Sequence, residues 1–190
     1  MPTENTTTQD TVQAGMVANK LTTDTVGAGG VYSVECVGAD GQVKWTDTFS
    51  NLVVNEGVQD MNTQYFNGAA YSAAFFLGLV AGPGAGTAFA AGDTLAIHAG
   101  WTENTTYAGA RKAAVFGAAT IANPSVISNS ASPASFAMNA TATIAGAFLC
   151  TVSSGTSGVL FSAGDFTGGD KFVDSGDTLN VTYTFSLTAT

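Results

Sequence analysis

Hydrophobic and polar positions alternate along much of this chain, the two-residue period of strands with one face in a core. The alternation is strictest over residues 178–188, where Leu179, Val181, Tyr183, Phe185 and Leu187 interleave with Asn180, Thr182, Thr184, Ser186 and Thr188. One face belongs to a core. The other carries hydroxyls in place of charge, and an exposed polar strand without charged gatekeepers needs cover. Residues 31–37 and 43–49 flank Gly38-Ala39-Asp40-Gly41-Gln42, and Asp40-Gly41 predicts a hairpin turn between them. On the second of these strands Trp45, Asp47 and Phe49 share a face. Further strands are expected at 75–80, 94–98, 113–116, 135–139, 141–144, 148–152 and 159–161, separated by Ser, Gly, Asn and Pro turns.

One segment has the helical period. In Asn55–Phe66, Val58, Met61 and Tyr65 fall on one stripe, Asn55 is placed to cap the first turn, and Glu56 sits where the helix dipole favours an anion. Asn67-Gly68 supplies the stop. Residues 68–92 carry no charge, but Pro83 interrupts them, and the apolar run before the break is thirteen residues long. That is too short for a spanning helix and fits a buried strand, so no membrane partner is expected. Gly92-Asp93-Thr94-Leu95 recurs as Gly176-Asp177-Thr178-Leu179, and Ala163-Gly164-Asp165 repeats part of the theme. Gly permits a turn and Asp caps it, so the repeat reads as a turn that leads into a strand.

Residues 1–25 differ in composition from the rest of the chain. They are rich in Thr, Asn and Gln, with scattered apolar positions Val12, Met16, Val17 and Leu21. Such a segment buries no core alone. It reads either as a frayed terminus or as an extended N-terminal arm that orders on a neighbouring subunit, with its four apolar residues as the candidate partner-binding positions. Residues 26–190 form the folded body. The fold class expected is mainly β: a β-sandwich or jelly-roll-like domain with one short helix and the arm.

Composition narrows the function. Charged residues are 10 % of the chain and the net charge is −9. That balance offers no footprint for nucleic acid or an anionic membrane. One histidine (His98), one arginine (Arg111) and four lysines leave little stock for general acid–base catalysis or cationic clamps. No Gly-x-Ser-x-Gly elbow exists for His98 to serve. Glu56, Asp60 and Glu103 are the carboxylates a glycosidase would use, but each has a simpler role: dipole partner, solvated helix face, loop anion. Arg111 is expected to pair with Glu103 or to serve a subunit interface. Asp165, Asp170, Asp174 and Asp177 could offer oxygens to calcium, yet their spacing matches no helix-loop-helix calcium loop, and turn capping accounts for them. Neither an enzymatic activity nor a cofactor is expected. Cys36 and Cys150 read as buried free thiols of a reducing compartment. The start of the chain has no basic and apolar leader, so synthesis in a cytosol is expected.

Several stretches together carry a resemblance. They are Lys44-Trp45-Thr46-Asp47 leading into Asn51-Leu52-Val53-Val54-Asn55-Glu56-Gly57, and Ala91-Gly92-Asp93-Thr94 with His98-Ala99-Gly100-Trp101-Thr102-Glu103, followed by Tyr107 and Arg111. Gly146-Ala147-Phe148-Leu149, the turn expected at Leu160-Phe161-Ser162-Ala163-Gly164, and Ser175-Gly176-Asp177-Thr178-Leu179-Asn180-Val181 complete the pattern. Over roughly residues 31–188 the chain resembles small structural proteins of tailed bacteriophages. The resemblance implies a head decoration (cement) protein, assembled in the cytoplasm of a bacterial host. It would bind the major capsid protein on the outside of the shell as a homo-oligomer. The alternative is a tail, baseplate or fibre component that binds a host surface or carbohydrate, for which Trp45 and Trp101 are the aromatics to consider.

Overall fold

The computed structural model describes residues 25–67, 74–82 and 88–189. They form two antiparallel sheets and one helix. The first sheet is built on β1 (Val26–Val37), which pairs along its whole length with β12 (Thr178–Ala189) and on its other side with β2 (Val43–Ser50). Two short strands, β7 (Ser125–Ser128) and β8 (Ala134–Ala137), divide the far edge of β12 between them. The gap is bridged by a side chain. Asn129 accepts from the Tyr183 N–H at 2.6 Å and donates to the Val181 carbonyl at 3.2 Å, reproducing with its amide the ladder bonds that a strand would make.

The second sheet runs in the order β3 (Leu52–Val53), β10 (Leu160–Asp165), β9 (Ala142–Cys150), β4 (Phe76–Gly82), β5 (Glu103–Asn104). β11 (Lys171–Val173) extends it on the β10 side and β6 (Lys112–Ala113) on the β5 side. Between the sheets pack Tyr32, Val34, Leu179, Val181 and Tyr183 from one layer and Leu77, Leu79, Ile144, Leu149 and Phe161 from the other. A chain of hydroxyls crosses this core. Tyr32 Oη lies 2.8 Å from Ser162 Oγ, which donates to Tyr183 Oη at 3.3 Å, and Asn51 Nδ2 donates to the same Tyr183 oxygen at 2.8 Å. Each of these hydroxyls is thereby answered by another polar atom.

The outer face of the second sheet is also covered. Val80, Ala145, Phe148, Cys150, Leu160 and Ala163 form a second cluster with Leu95 and Trp101, which arrive from the segment between β4 and β5. Residues 103–120 then close the open side of the sandwich. After pairing with β4 they reach the first sheet, where Tyr107 bridges to Met138 and Gly117 and Thr120 bond Ser128 and Val126. Free edges are thus largely occupied. On the remaining edge, Thr167 Oγ1 donates to the Thr48 carbonyl and Trp45 Nε1 to the Phe172 carbonyl.

The expected sandwich is present, with differences of detail. The two strands expected at 141–144 and 148–152 are one strand, β9, bulged where Val80 faces Gly146 and Ala81 faces Ile144. Ala163-Gly164-Asp165, expected as a turn, lies in β10. Gly146 faces Asp165 across the ladder, and a Cβ on Gly146 would overlap the neighbouring Gly164 carbonyl oxygen, so Gly146 serves close strand approach. Residues 94–98, expected as extended, form a tight bend in which Thr94 and Ile97 exchange backbone bonds. Of the strand expected at 113–116, only Ala113 is in a strand.

The helix, α1 (Asn55–Phe66), has the expected bounds but a different start and only part of the expected buried stripe. Val54 occupies the cap position with no side-chain bond, and Asn55 is already helical. Glu56 accepts the Leu160 N–H at 2.8 Å, which ties the first turn to β10. Gly57 and Met61 face the sandwich, whereas Val58 is 43 % and Tyr65 84 % exposed. Docking is set by the backbone. A Cβ at Gly57 would overlap the Phe161 carbonyl, so the helix sits closer to β10 than any other residue permits. Helix propensity alone predicts that Gly57→Ala stabilises the protein by about 1 kcal/mol. We expect instead a loss of about 1–3 kcal/mol from overpacking, read as a lower midpoint in urea unfolding.

Candidate interaction surface

The outer face of the first sheet is a broad surface rich in hydroxyls. Strand alternation sends Tyr32, Val34 and Cys36 inward and leaves Val31, Ser33 and Glu35 outward. β12 contributes Asn180, Thr182, Thr184 and Ser186, and β2 contributes Thr46, Thr48 and Ser50. The register sets these in rows: Ser33 lies between Thr48 and Thr182, Glu35 between Thr46 and Asn180, and Thr184 beside Ser128. Neighbours bond sideways. Ser33 Oγ and Thr48 Oγ1 are 3.1 Å apart, and Thr184 Oγ1 and Ser128 Oγ 3.0 Å. Of these positions only Glu35 is charged, and its carboxylate accepts from Asn180 Nδ2 at 3.5 Å.

With β1 and β12 of twelve residues, β2 of eight and β7 and β8 of four each, spacings of about 3.3 Å per residue and about 4.8 Å between strands give a face of roughly 600 Å². One partner in a standard protein interface contributes about 800 Å². Burying this face against another protein desolvates a single carboxylate, while hydroxyls already paired with each other lose little.

Among the described residues the cations are engaged elsewhere. The ladder slips between Cys36 and Val37, so that Lys44 has no residue opposite. Its Nζ reaches Asp174 and Asp177 at 2.7 Å each. Arg111 is buried and grips Glu103 with two bonds, Nε at 2.8 Å and Nη2 at 2.7 Å, while Nη1 donates to the carbonyls of Val152 and Gly155. Lys171 pairs with Asp47 at 3.2 Å. The expected Arg111–Glu103 pair is therefore present as an internal staple.

The repeated Gly-Asp-Thr-Leu tetrad proves to be one device used twice. Asp93 donates its N–H to the Ala90 carbonyl and accepts the Ala90 N–H on its carboxylate at 3.0 Å. Asp177 makes the same two bonds with Asp174, the second at 2.8 Å. Each carboxylate then takes further donors from outside its turn: Trp101 Nε1 at 3.0 Å for Asp93, and Lys44 Nζ with the Cys36 thiol for Asp177. Leu95 and Leu179 drop into the two hydrophobic clusters. The second copy leads into a strand and the first into the bend at 94–97.

The remaining candidates separate. Val12, Met16, Val17 and Leu21, the expected partner-binding residues, lie outside the described residues. His98 stacks on Trp101 with ring centroids 3.9 Å apart, and its Nδ1 is 2.9 Å from the Trp101 carbonyl oxygen. Trp101 is 5 % exposed and Trp45 is partly buried edge-on to Phe166, so neither offers an open platform. Glu56, Asp60 and Glu103 each have an internal partner: the Leu160 N–H, the Gln64 amide and Arg111. Of the four C-terminal aspartates, Asp174 and Asp177 hold Lys44, and among the described residues no three His, Cys, Asp or Glu side chains converge as a metal set. Cys36 and Cys150 are free and buried; burial, reinforced by the Asp177 carboxylate, pushes the Cys36 thiol up to about 11. Among the described residues no helix is long and apolar enough to cross a membrane. Comparison with protein-family models, curated proteins and solved structures returns no match.

The face is half legible in sequence. The alternation in β12 marks its hydroxyl row, and the same alternation in Tyr32-Ser33-Val34-Glu35-Cys36 marks the neighbouring row. Only the register joins the two rows into one surface.

Asp177 links this architecture to pH. Burial, the largest influence, raises its carboxyl, but Lys44 and the Asp174 N–H outweigh it and hold the group below its ordinary value. A carboxyl depressed in the folded state contributes stability that is full above the unfolded value and is lost as pH falls through the folded one. We expect urea midpoints to drop below about pH 4, and Asp177→Asn to be less stable at pH 7 with a shallower acid decline.

Proposed function

We propose that this protein is a structural virion protein of the capsid decoration type, which binds the outside of a phage head and stabilises contacts between capsid subunits. The observation that carries the reading is the hydroxyl-rich face of the first sheet, broad enough for a standard interface and bearing one carboxylate. A decoration protein needs many weak, shape-matched contacts repeated by symmetry, and charge on such a face would cost desolvation at every copy. The resemblance in the sequence points the same way. The proposed partners are the major capsid protein and further copies of this chain, and the proposed location is the virion surface.

The test combines position and surface chemistry. In a cryo-EM map of particles that contain this chain, we expect it on the outer capsid surface with the first sheet turned to its neighbours. Thr48→Lys, at an exposed position, and Thr182→Lys, half-buried on the same outer face, should leave the thermal midpoint within about 2 °C while weakening particle binding at least tenfold. Density confined to the tail or baseplate would replace this reading with the tail-component alternative.

A further inference from the structure

The two sheets leave space beside α1. A cavity of about 190 Å³ opens there, with Leu149, Phe161, Tyr183 and Phe185 buried at its floor. Met61 of α1 and Ile127 of β7 stand half-buried at its mouth. Phe75 and Phe116, edge to face at 5.9 Å, complete the wall. The wall presents carbon and sulfur alone. Tyr183 contributes its ring, because its hydroxyl is held by Asn51 and Ser162.

Folded interiors are close-packed, and voids much larger than one water are few. The pocket is open to solvent on one side, so water enters it, but the wall offers that water no polar partner and an apolar group displaces it readily. A charged ligand would lose its hydration with nothing in return. An apolar cavity of about 150 Å³ in another protein stays dry and takes up benzene. From this size and lining we infer that the cavity is a binding site for one small uncharged apolar ligand, a single ring or short branched alkyl group of about six to eight carbons. Its opening beside α1 provides entry. This site is independent of the outer sheet face and of the capsid reading.

The test uses the full chain with benzene and toluene as probes and benzoate as the charged control. Methyl resonances of Met61 and Ile127 should shift saturably with both hydrocarbons, and the thermal midpoint should rise with their concentration. Benzoate should do neither. Ile127→Phe, which fills the mouth, should weaken benzene binding at least tenfold. Met61→Ala, which enlarges the cavity, should shift preference toward naphthalene by about tenfold. Should Ile127→Phe fail to fold, the size preference of Met61→Ala decides the matter. Absence of saturable shifts at the solubility limit of benzene would overturn the inference. So would benzoate binding as well as benzene, or variants that leave size preference unchanged.

Discussion

β9 is buried on both faces, and the rest of the structure depends on that constraint. Ile144, Ala147 and Leu149 point into the sandwich while Ala145, Phe148 and Cys150 point away from it. A sheet apolar on both sides needs two layers over it. The first sheet is one. The other is assembled from irregular chain between β4 and β5, with Trp101 against Phe148 at 5.2 Å and Leu95 beside it. An irregular layer needs its own fastening, and the Asp93 turn, the Trp101 indole bond and the Arg111 staple provide it.

This explains where the few charges go. Lys44, Arg111 and Lys171 each hold a turn or loop through a carboxylate, and none stands in the hydroxyl rows of the first sheet. Surface ion pairs contribute little to stability, but a buried guanidinium that also satisfies two backbone carbonyls fixes geometry. The chain spends its charge on internal joints and leaves a broad face almost neutral.

The sandwich was legible because its signal is local. β12, β1 and β2 announce themselves by alternation, and α1 by its spacing and stop. The features that the sequence pattern hides depend on distant partners. β9 reads as two strands because Gly146 looks like a break, and only the carbonyl of Gly164 across the ladder explains it. The stripe of α1 points to Val58, Met61 and Tyr65, but only Met61 packs on the core, and close contact with the Phe161 backbone selects Gly57. β7 and β11 are too short for a period to appear. Nothing local marks Asn129 as a strand substitute, or the side of α1 as the rim of a cavity.

The central place of β12 has a consequence for how the molecule comes to exist. It lies between β1 on one side and β7 and β8 on the other, so the first sheet has no continuous middle until residues 178–189 take their place. During synthesis every other described strand leaves the ribosome earlier, and the hairpin of β1 and β2 waits for a partner encoded far downstream. Such distant pairings make folding slow, because loop closure precedes the contacts that reward it. A chain interrupted before β12 keeps the second sheet's apolar inner face uncovered, which marks it for aggregation or degradation. Emergence of β12 thus becomes a condition of folding, and a chain cut short of it does not reach the native first sheet.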